Sequence, residues 1–436
     1  MTNFDVLIIG AGSAGLMSAA RLAFLLSSNN RSNDLKIAII DSNSKAGRKL
    51  ALTGNGRCNI TNSSLNVDWF NSDNSSLVSS IIDDFDSEET ISFLENQIGI
   101  KTISKESLVY PYTLRSSTVV DSLRFYLEDN GVSFIYDAKV QEICISSDKK
   151  YIVSTTNGEF LTNKIIIATG GSSYPNTGSD GASLNWIYKL YKANTNLDKK
   201  PDDIFVKPAP ALTKLNISNR DLHKLSGYRF QVSIYYDKEP SNVEKGELIV
   251  TDTGISGICV MQISSNICRN MIDKTDLTPS VVINFANGMS ADELNKEISD
   301  RINLYPERTI CNALSGLFPR VACEFFCKMC GINSETICNR ITSRRIAMLV
   351  DVISKMELQV SGFGGFDFAQ VTSGGIKLNA LNSDLSFKNS PMLDGIYLCG
   401  EILNVDGPCG GYNLQWAWSS ANRAATALYR GIYENL

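Results

Sequence analysis

Histidine is almost missing from this chain: a single imidazole, His223, stands among 436 residues. Metal centres that need several histidines are therefore excluded, and a Ser-His-Asp triad would have only His223 to draw on. His223 lies between Asp221 and Lys224 in a polar stretch, which suits a surface or locally satisfied ring. An excess of positive charge is also lacking: Lys+Arg is 41 against Asp+Glu at 46, a net charge of −5. A surface built mainly to grip phosphate backbones needs the opposite sign, so no nucleic-acid partner is expected. The start, Met1-Thr-Asn-Phe-Asp5, carries no positive charge, and the apolar run Val6–Leu26 is broken early by Gly10, Gly12 and Gly15. That run is accordingly not read as a signal peptide or membrane span. The 11 cysteines are an odd number without a regular framework, and are read as reduced thiols of a cytoplasmic protein. Tandem repeats and low-complexity tails are absent.

What is present has the balance of a globular protein, with 43% hydrophobic and 20% charged residues. A length of 436 residues suits about two or three domains. The spacing predicts a buried strand over Phe4–Ile9, a helix over Leu16–Leu26 and a second strand over Lys36–Ile40. Helices are expected over Glu88–Ile98 and Ser116–Asp129, stopped by Gly99 and Gly131. Short strands follow over Val132–Tyr136, Lys139–Ser146, Tyr151–Thr156, Glu159–Leu161 and Lys164–Ala168. After about residue 195 the texture changes, and 196–367 reads as an inserted module, part β and part helical. A last strand is expected over Gly395–Gly400 and a last helix over Gly411–Arg430.

The first chemistry-bearing motif is strand–Gly10-x-Gly12-x-x-Gly15–helix. Gly10 permits the tight turn, Gly12 lets a pyrophosphate approach the backbone, and Gly15 lets helix and strand pack closely. The phosphate then meets the helix N-terminus, where free N–H groups and the dipole favour an anion. Asp41, 41 − 15 = 26 residues beyond Gly15, stands at the end of the second strand, placed to accept from a ribose 2′-OH. The polar stretch Ser27–Asp34 accounts for the long spacing.

Such a site holds NAD or FAD. The strand Ile165–Ala168 ends in Thr169-Gly170-Gly171, and Ile396–Cys399 ends in Gly400-Glu401, followed by Asp406, Gly410-Gly411 and a helix. One dinucleotide approached by three strand ends must be long, which favours FAD. A helix N-terminus near Gly411 would stabilise negative charge on the reduced flavin. A second GxGxxG is absent, so NAD(P)H is expected as a transient electron donor without a domain of its own.

A third motif, Gly47-Arg48-Lys49-Leu50 and Thr53-Gly-Asn-Gly-Arg-Cys-Asn-Ile-Thr-Asn62, combines glycines, side-chain donors and bases. Together with Gly246-Glu-Leu, Gly254-Ile-Ser-Gly257, Val371-Thr-Ser-Gly-Gly375 and Gly410-Gly-Tyr-Asn-Leu-Gln-Trp-Ala-Trp-Ser-Ser420, it makes the chain resemble the bacterial flavoprotein family of BaiN-type bile-acid enone reductases and aminoacetone oxidase-like enzymes. The resemblance spans nearly the whole chain. It implies an α/β fold: a Rossmann-like, glutathione-reductase-type FAD domain over 1–195 and 368–436. The insert 196–367 would comprise a β-barrel part, about 196–290 and 355–367, and a helical part, about 291–354.

Carried over motif by motif, the implied FAD contacts begin with Gly10, Ala11, Gly12, Ser13, Ala14, Gly15, Asp41, Ser42, Arg48 and Lys49. They continue through Gly54, Asn55, Gly56, Arg57, Cys58 and Asn59, with Val140 meeting adenine through its backbone. Ala168, Thr169, Gly170, Gly400, Glu401, Asp406, Gly411, Tyr412, Asn413 and Leu414 complete the set. Three positions depart from the family pattern: Asn404 for Asp, Cys409 for Thr, and Ile258 where Pro usually follows Ser-Gly.

Some residues tempt without persuading. Cys323, Cys327 and Cys330 have the spacing of an iron–sulfur motif, but i, i+4, i+7 is also one helix face, and buried packing is expected. Metal ligands are not expected. Cys58 and Cys409 both fall in flavin-facing motifs, although nothing in the sequence makes them neighbours. Trp416 and Trp418 read as packing on the last helix. Tyr174 and Tyr412 flank cofactor motifs and are the candidate proton donors. The expected activity is NAD(P)H-driven reduction of a conjugated C=C bond in a hydrophobic, steroid-like small molecule. An O₂-using amine oxidase of the aminoacetone oxidase type is the alternative, and a tRNA-modifying flavoprotein is less favoured. The oligomeric state is not legible.

Overall fold

The computed structural model describes residues 1–195, 200–236, 243–274 and 278–434. The chain divides into two compact units, Met1–Ala209 with Gln370–Leu436, and Pro210–Ala369. The expected start of the insert, at 196, lies outside the described residues.

The first unit is built on a seven-stranded sheet. Ser133–Ile135, Ile37–Ile40, Thr2–Ile9, Gly158–Ile167 and Ile396–Leu398 run parallel, and Tyr151–Thr155 and Val140–Ile145 complete one edge antiparallel. Alternate residues of the central strands feed cores on opposite faces. Val6, Ile8, Ile39 and Ile166 join one; Leu7, Ile9, Ile40 and Ile167 join the other. Burial on both sides explains why these strands read as unbroken apolar runs. The run Val6–Leu26 resolves into this strand, the glycine turn and the helix Ser13–Ser28. Among the described residues, no helix is long and apolar enough to cross a membrane.

One strand was read as two. Gly158–Ile167 is continuous, although Thr162, Asn163 and Lys164 suggest a break. The strand changes partner there. It pairs with Tyr151–Thr155 up to Thr162 and with Ile396–Leu398 from Ile165. Thr162 is satisfied locally, its hydroxyl donating to the carbonyls of Asp5 or Lys164.

In the second unit, six strands close into an antiparallel barrel. They are Leu215–Ile217, Arg229–Tyr236, Glu244–Thr251, Gly254–Ser256, Ser280–Asn284 and Met356–Phe363. A helix, Ile258–Asp273, stands inside the segment expected to be wholly β. Its β-branched residues hide the period, but Cys259, Val260, Ile263 and Ile267 form its buried face. Ile258 is its first residue and is 64% exposed. That is the position where proline is favoured, so the departure there costs no core contact. The helices Ala291–Leu304, Ile310–Leu314, Arg320–Met329 and Ser343–Ser354 share the barrel's core. Cys311, Cys323, Cys327 and Cys330 are buried within that core. No group of three or more metal-capable side chains forms among the described residues. His223 sits in a short turn, its Nε2 3.1 Å from the carbonyl of Ile217.

Candidate cofactor site

At the glycine motif, the three glycines differ in what surrounds them. Gly10 has φ +106°, and a Cβ there would lie 2.4 Å from the Ala168 carbonyl oxygen. A Cβ on Gly15 would lie 1.8 Å from the Gly10 carbonyl oxygen. A Cβ on Gly12 would meet nothing within 4 Å. Packing thus demands Gly10 and Gly15, whereas Gly12 leaves space. Gly12 also caps the helix Ser13–Ser28, which has no side-chain cap and no acidic residue in its first turn. An uncapped N-terminus beside open space suits a ligand that brings its own anionic oxygens.

Asp41 stands beside this turn. Its Oδ2 accepts from Ala11 N–H at 2.6 Å, and its Oδ1 accepts from Asn43 N–H and Asn43 Nδ2, both at 2.8 Å. A carboxylate offers about four lone-pair sites, so room remains for a ribose hydroxyl. Asn43 was missed by the sequence reasoning, yet it organises this corner. Its amide also donates to the Thr177 carbonyl at 2.9 Å and accepts from Arg48 Nη1 at 2.7 Å. Ser42 and Asn43 pack against Gly178. The Ala138 N–H donates to the Asp41 carbonyl at 2.9 Å, two residues before the buried Val140.

The strand ends meet through an ion pair. Lys49 Nζ lies 2.5 Å from Glu401 Oε2, each side chain 21% exposed. Glu401 Oε1 accepts from Thr372 N–H at 2.8 Å. The Thr372 hydroxyl oxygen accepts from the N–H groups of Ser172 and Ser173, at 2.7 and 3.0 Å. Thr372 therefore ties the Ala168–Ser173 strand end to the Gly400-Glu401 turn. It lies in a quoted motif, but its role appears only once the strands are adjacent. Thr169 and Gly400 are fixed in turn by Ser183 and Ser420.

The Gly54–Asn59 loop is wound left-handed: Gly54, Asn55, Gly56 and Cys58 have φ of 56°, 54°, 78° and 59°. Arg57 is exposed, and a Cβ on Gly56 would meet open space. Cys58 is fully buried, and burial pushes its thiol up to about 12, so it is no thiolate nucleophile at neutral pH. Asn59, with both amide ends satisfied, accepts from Gly411 N–H at 3.1 Å and donates to the Thr61 carbonyl.

Gly411 caps the last helix, Tyr412–Tyr433, with φ 94° and no side-chain cap. A Cβ on it would lie 2.7 Å from the Thr61 carbonyl oxygen. Asn413 closes the preceding turn, accepting from Gly407 N–H at 2.9 Å and donating to the Gly407 carbonyl at 2.7 Å. Asp406 is buried and accepts from Asn71 Nδ2 at 3.0 Å. Leu414 is half-buried against the core. Gln415, also missed, is fully buried; it accepts from the Thr61 hydroxyl at 2.5 Å and donates to the Phe85 carbonyl at 2.9 Å. Trp416 and Trp418 are packing residues whose indole N–H groups donate to the carbonyls of Gly400 and Ile60.

The two candidate proton donors have different surroundings. Tyr412 is 2% exposed, stacked on Trp69, with its hydroxyl accepting from Asn66 N–H at 3.2 Å. Tyr174 has φ 55°, and its hydroxyl accepts from Gln370 Nε2 at 3.1 Å. Its turn is fastened by Asn43 beside Asp41, the ribose end of the expected site.

Comparison with known proteins places the chain in a family. The family model described as HI0933-like protein Rossmann domain matches residues 4–427. A 3-dehydro-bile acid delta(4,6)-reductase of Clostridium scindens is 27% identical over 96% of this chain and 98% of its own length. A ribosomal RNA dihydrouridine synthase of Haemophilus influenzae is 28% identical over 97% of this chain and 98% of its own. Among solved structures, the 3-ketosteroid delta1-dehydrogenase of Sterolibacterium denitrificans, in complex with 1,4-androstadiene-3,17-dione, shares the fold. It matches at a TM-score of 0.51 and 10% identity, covering 99% of this chain and 100% of that one. The chain belongs to the HI0933-like Rossmann family and is an FAD-dependent oxidoreductase.

Proposed function

We propose that this protein uses NAD(P)H to reduce a C=C bond conjugated to a carbonyl group. FAD, when bound, would supply hydride chemistry for this reduction, with NAD(P)H as the electron source and solvent as the source of the proton. The observation that carries this proposal is the pair of uncapped helix N-termini, at Gly12 and Gly411, within one unit. The first would hold a pyrophosphate on the N–H groups that follow Gly12. The second would hold negative charge at the flavin's pyrimidine edge on the N–H groups that follow Gly411. Asp41 would take the ribose hydroxyl, and the Lys49–Glu401 pair would hold the strand ends in place between them.

The relatives support the choice of bond. A bile-acid delta(4,6)-reductase and a dihydrouridine synthase both bear names of C=C reduction. In each substrate class the double bond is conjugated to a carbonyl, in a steroid ring or in a uracil ring. A hydrophobic steroid-like substrate remains the leading choice. RNA is a second reading, favoured by Arg340, Arg344 and Arg345: all are exposed, and no ion pair is found for them among the described residues. The test is anaerobic turnover by NADPH-reduced protein of a 4-en-3-one steroid and, separately, of a uridine-containing RNA. Oxidation of the flavin by either one supports the proposal, and by neither one refutes it.

A further inference from the structure

Trp69 is 59% exposed, whereas the other tryptophans, Trp186, Trp416 and Trp418, are buried. Single exposed apolar side chains are ordinary, but this one is set in an unusually fixed segment. Its indole stacks on Tyr412 at 5.7 Å between centroids and 23° between planes. Asn66 N–H donates to the Tyr412 hydroxyl, and Phe70 packs on the same ring at 5.5 Å. Asn71 and Ser72 pair antiparallel with Asp406 and Val405, and Asn71 Nδ2 donates to Asp406. Asn66, Trp69, Phe70, Asn71 and Ser72 are thus each joined to 405–412, and Trp69 is the large side chain of the segment left in water. One face of the indole is covered by Tyr412; the other is open. Tyr412 is the residue immediately after Gly411, the uncapped helix start.

We propose that the open face of Trp69 is a stacking platform for the flat, carbonyl-conjugated ring of the substrate. This rests on the assignment of Gly411 to the flavin end of the site. An indole already backed by a second ring is rigid and loses little freedom on stacking, and its large face suits a planar partner of either source, a steroid enone or a uracil ring. The platform sets ring affinity and orientation; it donates no proton.

The test is iodide quenching of tryptophan emission in the FAD-loaded protein. With the other tryptophans buried, Trp69 supplies the quenchable component, and Trp69→Phe should remove it. Saturation with a 4-en-3-one steroid, or with a uridine-containing oligonucleotide, should shield Trp69, and the probe that does so identifies the source of the ring. In turnover, Trp69→Ala should raise KM about ten-fold with a smaller change in kcat. Trp69→Phe should restore KM, and flavin absorbance should show FAD retained in both variants. Shielding by neither probe, or an unchanged KM in Trp69→Ala, overturns the platform. Shielding without turnover leaves the platform standing and refutes the proposed reaction instead.

Discussion

Gly12→Ala separates a glycine kept for a ligand from glycines kept for the fold. Gly12 has φ −81° and ψ −169°, backbone that alanine adopts without strain. A Cβ there meets nothing within 4 Å, so the unliganded fold should lose no more than about 1 kcal/mol, the cost of alanine in place of glycine at a helix N-cap. The same methyl occupies the space expected for the pyrophosphate. Losing even two charge-assisted hydrogen bonds, at about 1.5 kcal/mol each, weakens FAD by roughly 100-fold. Gly15→Ala is the contrast, because its Cβ would lie 1.8 Å from the Gly10 carbonyl oxygen. It should destabilise the fold by more than about 3 kcal/mol. The assay is urea unfolding of the FAD-free proteins, followed by FAD titration monitored by flavin fluorescence. Gly12→Ala protein that is stable and binds FAD like the wild type would refute the placement of the pyrophosphate.

Further outcomes follow from single contacts. Ile258→Pro should leave the melting temperature unchanged or raise it, equivalent to about 0.4–1 kcal/mol, because residue 258 is an exposed first helical position; a large drop would contradict the helix start. Asn404 Nδ2 donates to Asp73 Oδ1 at 2.8 Å, a bond that needs an amide at position 404. Asn404→Asp should therefore cost about 2 kcal/mol at pH 7, by chemical denaturation. The loss should shrink as pH falls through the carboxylate range and the introduced carboxyl takes up a proton. Of the 11 cysteines, Cys144 is exposed and Cys409 partly exposed, while the others are buried. An aromatic disulfide reagent should react with those two before the others in native protein, and with all 11 after denaturation. Rapid labelling of Cys58, whose thiol is pushed up to about 12, would contradict its burial.

The first unit was legible because its strands are buried on both faces and its phosphate turn is local in sequence. Gly10, Gly12 and Gly15 need only a strand before them and a helix after. The helix Ser116–Asp129 was read to the residue, since Gly131 stops it and its apolar face is periodic. The helix Ile258–Asp273 was not, because Ile and Val at its buried positions carry β propensity that tertiary packing overrides. Asn43, Thr372 and Gln415 escaped for another reason. Each acts on partners far along the chain: Gln415 bonds to Thr61 and Phe85, and Thr372 to Ser172. No local pattern announces such bonds. The surroundings of Tyr174 and Tyr412 were hidden in a different way. Their proximity to motifs was visible, while burial of Tyr412 and the anchoring of Tyr174's turn near Asp41 were not.

NAD(P)H-driven reduction of an enone would be visible in the absorption spectrum of the FAD-loaded protein under anaerobic conditions. NADPH or NADH should bleach the flavin, and a steroid enone or a uridine-containing RNA should restore its colour with one C=C bond reduced per flavin reoxidised. A flavin that neither nicotinamide reduces, or that only O₂ reoxidises with release of peroxide, would contradict this and favour the amine oxidase instead.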